Sequence, residues 1–138
     1  MPWSITEIHP LFVHFPIALF LTGFLFDISS FIFEKKELKT AGFYTMFMGL
    51  VSSFFTSISG LFSFLRMGTF FDIIYFQHGI LQIIVTIIIF ILFIIRTQYK
   101  VYLQDSILYL RLYFIVYTIS IIILLYASHL GAIAAERM

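Results

Sequence analysis

Long apolar stretches separated by short polar segments dominate the hydrophobic pattern of this chain. They cover residues 11–33, 40–65, 78–95 and 107–132. Each is long enough to cross a hydrocarbon core about 30 Å thick as a helix, which takes ~20 residues. Strands would leave unpaired backbone groups in lipid, so every span is predicted to be helical. The short connections predict an all-α, up-down-up-down four-helix bundle that forms a single transmembrane domain over the whole chain.

Composition supports an integral membrane protein. The chain has 138 residues, of which 62% are hydrophobic and 11% are charged, whereas soluble domains carry roughly 25% charged residues. A net charge of +1 does not suggest a nucleic-acid partner. The chain has no cysteine, which excludes disulfides, thiolate metal sites and covalent c-type haem attachment.

Lys and Arg predict the orientation, because cytoplasmic loops carry an excess of both residues. Six lie near the connections that follow the first and third spans, and two lie on the opposite side. The six are Lys35, Lys36, Lys39, Arg96, Lys100 and Arg111, and the two are Arg66 and Arg137. This distribution predicts that both termini face the non-cytoplasmic side.

The four histidines of the chain all fall on that non-cytoplasmic side. They are His9 and His14 at the start of the first span, His78 at the start of the third, and His129 near the end of the fourth. Ionisable side chains at membrane depth are costly and usually functional. The grouping indicates cofactor ligation by imidazoles from separate helices, either axial ligation of haem iron or coordination of copper or zinc. The alternative is interfacial histidines bonded to backbone or water.

The segment His-Pro-Leu-Phe-Val-His-Phe-Pro, residues 9–16, leaves the start of the first helix open. The helix could begin at Pro10, where a missing N–H costs nothing, or at Pro16. If Pro16 lies inside the helix, it frees the carbonyl of Phe12.

Two polar residues near the histidines are candidates for orienting a ligand. Gln82 follows His78 by one helical turn and shares its face, and Tyr126 precedes His129 by three residues. The commoner roles are an interhelical hydrogen bond for Gln82 and an interfacial aromatic for Tyr126.

Small residues form a stripe along the second span. This pattern favours close helix packing and is compatible with a wall beside a flat macrocycle. The residues are Gly49, Ser52, Ser53, Thr56, Ser59, Gly60 and Ser63.

Asp27 and Arg111 are the charges set well inside the spans, each about two turns from the cytoplasmic loops. An unpaired charge at that depth costs several kcal/mol. We therefore predict a structural ion pair between Asp27 and Arg111, apart from the histidines.

The string His9-Pro-Leu-Phe-Val-His14-Phe-Pro-Ile-Ala-Leu, with Asp27 later in the same helix, resembles the start of a bacterial membrane family catalogued as domain of unknown function 2231. A histidine opening the third helix and a glycine-containing end around His129–Gly131 resemble it too. The resemblance implies four spans in a bacterial inner membrane and supports His9 and His14 as a functional pair.

Four helices with several histidines are also similar in architecture to b-type cytochromes. The leading hypothesis is therefore a haem-binding subunit that carries electrons near the outer face, with one or two haem b groups ligated by histidine pairs. The pattern favours such a subunit over a stand-alone enzyme. The alternatives are a cofactor-free accessory subunit that packs against other membrane or respiratory-complex subunits, and a copper or zinc site.

Overall fold

The computed structural model describes residues 5–66, 73–98 and 105–136, with side chains described for residues 12–66, 73–98 and 105–134. Four helices fill these ranges, and no strand occurs in them. Each helix contains a segment long and apolar enough to span a membrane. Their bounds are α1 Ile5–Phe33, α2 Lys36–Arg66, α3 Ile73–Gln98 and α4 Ile107–Glu136. The all-α four-helix prediction is confirmed.

Contacts between helices show the antiparallel order. The end of α1 packs on the start of α2, where Asp27 touches Gly42, and the start of α3 contacts the end of α4, where His78 meets Ala127. The helices thus form two hairpins, α1–α2 and α3–α4. We call the two ends of the bundle the His78 end and the Asp27 end.

A compact apolar core lies between these two ends. It contains Phe20 from α1, Met46 from α2, Val85 and Ile89 from α3, and Tyr117 from α4, all fully buried. Most other large apolar side chains on the described helices are exposed. In a protein with four spanning helices that apolar exterior is the lipid-facing surface.

The small residues of α2 pack as their stripe predicts. Buried positions on this helix recur every three or four residues and include Gly49, Ser53 and Thr56. A Cβ atom at Gly49 would lie 2.7 Å from the Phe20 ring. Glycine at this position therefore lets α1 and α2 approach closely.

Helix α1 begins before both prolines, at Ile5, so neither Pro10 nor Pro16 starts it. Proline has no N–H and leaves the carbonyl four residues earlier without its helical partner. For Pro16 that carbonyl belongs to Phe12, and the Thr56 hydroxyl lies 3.1 Å from it. The same hydroxyl is 2.9 Å from the Ser52 carbonyl on its own helix. Thr56 thus supplies a donor where Pro16 removed one.

Glu34 forms the turn between α1 and α2 with a positive backbone angle, φ 55°. This left-handed conformation costs a residue with a Cβ roughly 1–2 kcal/mol, and glycine commonly occupies it at helix ends. We expect Glu34→Gly to raise the free energy of unfolding by about 0.5–1 kcal/mol, because greater freedom in the unfolded chain offsets part of the gain. Thermal unfolding in detergent would measure this effect. Glu34→Gln is the control for charge, and an equal rise in that variant would contradict a backbone origin.

Candidate functional site

Buried polar side chains gather at both ends of the bundle. Those at the His78 end include His78, Thr56 and Ser63, and those at the Asp27 end include Asp27 and Arg96. The apolar core lies between the two groups. Each group is therefore described as a separate site.

His78 is a buried imidazole held by a backbone carbonyl. It lies in the second turn of α3, is 5% exposed, and its Nδ1 is 2.7 Å from the carbonyl oxygen of Ala127 on α4. A carbonyl can only accept, so Nδ1 carries the proton and donates it. In the neutral ring, Nε2 is then the nitrogen that can accept a hydrogen bond or bind a metal.

Gly131 leaves room for the imidazole to pack against α4. A Cβ atom at Gly131 would lie 2.8 Å from Cε1 and 2.9 Å from Nδ1 of His78. Any side chain at this position would push the ring away from the Ala127 carbonyl. Ala127 and Gly131 are one turn apart on the same face of α4, so one face both bonds and accommodates the ring.

A cavity of about 260 Å³ lies between the two hairpins at this end. Small residues of α2 form one wall, and α3 forms the other with His78, Gly79 and Gln82. Across it the Tyr75 hydroxyl donates to the Gly60 carbonyl over 3.3 Å, which links α3 to α2.

Exposed apolar side chains also line the cavity. They are Leu61 of α2 and Phe76, Ile80 and Ile83 of α3. The cavity therefore opens at the apolar exterior of the bundle.

The predicted site residues divide into those at the cavity and those away from it. His78 and Gln82 line the cavity together. His14, His129 and Tyr126 are exposed, and the side chain of His9 lies outside the described residues. Among the described residues, no group of three or more His, Asp or Glu side chains could hold a metal ion. Of the predicted imidazoles, the described part of the chain therefore brings one, His78, to a cavity.

The Asp27 end is a polar cluster that joins all four helices. Arg96 Nη1 donates to Asp27 Oδ2 over 2.7 Å, and Nη2 donates to the Lys39 carbonyl, also over 2.7 Å. The Tyr113 hydroxyl donates to the same Asp27 oxygen over 3.1 Å. The guanidinium also lies over the Phe43 ring, 5.6 Å from its centroid. We call this group the four-helix clamp: Asp27 from α1, Lys39 and Phe43 from α2, Arg96 from α3 and Tyr113 from α4.

The ion pair predicted between Asp27 and Arg111 is corrected by this arrangement. Arg111 is exposed, and Arg96 is the partner of Asp27. Arg111 precedes the buried Tyr113 by two residues, and a helix turns about 200° over that interval. Arg96 instead follows the buried Leu92 by one turn on the core face of α3.

Sequence reasoning missed Arg96, Tyr113, Ala127 and Gly131. Arg96 was assigned to a loop because a charge usually marks the end of a span. Its signal was present, since Val85, Ile89, Leu92 and Arg96 repeat at steps of four, three and four residues, which places them on one face. Ala127 contributes a backbone carbonyl, which has no signal in the sequence.

Residues 6–138 match the model of a family described as predicted membrane protein (DUF2231). No curated protein and no solved structure is significantly similar to the chain.

Proposed function

This chain belongs to the DUF2231 family of predicted membrane proteins, and from that premise we propose that it binds a small lipid-soluble molecule in the cavity at the His78 end. His78 is the main recognition group. The observation that carries the proposal is a lipid-accessible cavity beside an imidazole whose ring is fixed by a backbone hydrogen bond.

The lining of the cavity supports this function. Sites for small molecules are mostly apolar and have a few polar groups that fix orientation. Here Ile83, Leu61 and Phe64 supply apolar surface, and His78 and Gln82 supply polar groups.

Haem b, carrying electrons near the outer face, is the second candidate for the occupant. The bond from Nδ1 to a carbonyl is the arrangement that orients metal-ligating histidines, and small α2 residues face the cavity. With these features, His78 would serve as one axial ligand of the haem iron. The described side chains do not form the predicted histidine pair, because His14 and His129 are exposed. When bound, the haem iron would supply the redox chemistry, and His78 and the cavity walls would orient it.

The test compares occupancy of the cavity in matched variants. Gly79 lines the cavity, and nothing lies within 4 Å of a Cβ atom added there, so Gly79→Leu should extend from open space and reduce the volume of the cavity. Ile91→Phe enlarges an exposed side chain on the same helix and serves as the control. Native mass spectrometry of protein extracted in lipid discs should show a bound small molecule in the parent and the control, and its loss in Gly79→Leu.

Visible spectra of the same samples identify the class of occupant. A Soret band that disappears in His78→Ala and survives in His14→Ala and His129→Ala would establish haem. Equal occupancy in the parent and in Gly79→Leu would overturn the proposed function. An empty parent that takes up nothing from a membrane extract would also overturn it and leave a cofactor-free accessory subunit.

A further inference from the structure

We infer that the cavity takes an uncharged lipid whose head group both donates and accepts hydrogen bonds, such as a long-chain alcohol or primary amide. This inference rests on the proposed function and specifies the chemistry of the same cavity. Three observations carry it: side chains of the lining that have no hydrogen bond, their depth in the bundle, and a described lining without charged residues.

Some polar groups of the lining are already bonded within the protein. The hydroxyls of Thr56, Tyr75 and Thr86 each donate to a backbone carbonyl. A hydroxyl has one proton to donate, so a ligand could accept from these groups only by breaking a bond of the fold.

Gln82, Ser53 and Ser57 also line the cavity, and they are free to bind a ligand. No described residue forms a hydrogen bond with the Gln82 amide or with either serine hydroxyl. Ser53 is 4% exposed, and Ser57 follows it by one turn of α2. A buried polar group without a partner costs free energy, and a bound ligand would supply the missing partner.

The bonding capacity of these three side chains defines the head group. The amide of Gln82 has two N–H donors and an oxygen acceptor, and each serine hydroxyl both donates and accepts. A head group with a donor and an acceptor can therefore pair with both walls, α3 and α2. An ether oxygen only accepts, so it leaves the acceptor oxygens of the lining unpaired.

The depth of the lining disfavours a charged head group. Gln82 follows the start of α3 by nine residues, and Ser53 precedes the end of α2 by thirteen, which are about 14 and 20 Å along the helix axes. Both side chains thus lie well inside helices that can span a core about 30 Å thick. Among the described residues, no Lys, Arg, Asp or Glu lines the cavity. An ion bound there would have no counter-charge, which is costly at this depth.

The size of the cavity and its apolar residues accommodate a tail. A volume of about 260 Å³ is smaller than the 300–1,000 Å³ of typical pockets, about the size that drug-sized ligands need. It therefore encloses a head group and the start of a chain. The exposed residues of the lining, Leu61, Phe76, Ile80 and Ile83, offer apolar surface to the rest of the tail.

The experiment uses the full chain in lipid discs and three probes with the same tail: dodecanol, its methyl ether and dodecyl sulfonate. Each probe is titrated as a mole fraction of the disc lipid, and binding to empty discs is subtracted. Dodecanol should bind about five- to tenfold more tightly than the ether, the size expected for one hydrogen bond. The sulfonate should bind at least about tenfold more weakly than dodecanol.

Gln82→Leu should reduce the preference for dodecanol over its ether to about twofold or less, because the amide is lost. Gln77→Leu is the matched control, since Gln77 is an exposed residue of the same helix outside the cavity lining. It should keep the full preference. Equal loss of preference in the two variants would overturn the assignment of Gln82 as a recognition group.

The probe series reports on the parent protein, so it stands even where a variant fails to fold. Equal affinity of the parent for dodecanol and its ether, or for dodecanol and the sulfonate, would overturn the inferred class. If Gly79→Leu still blocked the probes in that case, ligand binding in the cavity would stand. A parent that bound none of the probes while a different molecule occupied the cavity would also overturn the class and leave the proposed function intact.

Discussion

Arg96→Met is expected to lower the free energy of unfolding by about 3–5 kcal/mol, the cost of breaking a buried ion pair from one side. The variant leaves Asp27, 4% exposed, without its cation inside a membrane-spanning helix. It also removes the donor to the Lys39 carbonyl, which links α3 to α2. Reversible unfolding in mixed micelles would measure the loss.

Arg111→Met is the matched control, because Arg111 is exposed and lies outside the four-helix clamp. We expect it to change the free energy of unfolding by less than about 0.5 kcal/mol. Asp27→Asn combined with Arg96→Met should recover much of the loss, since no unpaired charge then remains. Equal losses in the two arginine variants would contradict the assignment of Arg96 as the partner of Asp27.

Gly49→Ala should produce the second large effect, a destabilisation of about 1–3 kcal/mol by overpacking. The new Cβ atom would lie 2.7 Å from two carbons of the Phe20 ring and 3.4 Å from Leu19 Cβ. Phe20 is fully buried in the apolar core, so the ring has little room to move. Helices α1 and α2 must then separate, which would be measured as a lower unfolding temperature.

Gly79→Ala is the control for this substitution, because no atom lies within 4 Å of the added Cβ. Alanine favours a helix over glycine by about 1 kcal/mol, so this variant should be neutral or more stable. A loss in both variants would indicate a general effect of replacing glycine. A loss confined to Gly49→Ala would establish the contact with Phe20.

The sequence predicted the number of spans more successfully than the direction of each polar side chain around its helix. Apolar length alone identified four spans, and the described part of the chain has four helices at those places. Arg111 was placed inside its span and Arg96 in a loop, so depth favoured Arg111 as the partner of Asp27, whereas the structure pairs Asp27 with Arg96. The choice depends on which face each helix turns toward the core.

The same limit applies to the histidines. Counting spans placed all four histidines at one end of the bundle. It does not predict how each helix is rotated about its own axis. His129 follows Ala127 by two residues, so a turn of about 200° carries its side chain away from the face that bonds His78. Gln82 and His78 line the same cavity, because a one-turn spacing fixes relative direction within a single helix.

The ion pair at the Asp27 end also has a consequence for synthesis of the protein. Arg96 follows Asp27 by 69 residues, so Asp27 is made before its cation. At about 5–20 residues per second, Asp27 waits several seconds for its partner. During that interval its carboxyl group has no Arg96 to pair with, so the four-helix clamp can form only after α3 is made.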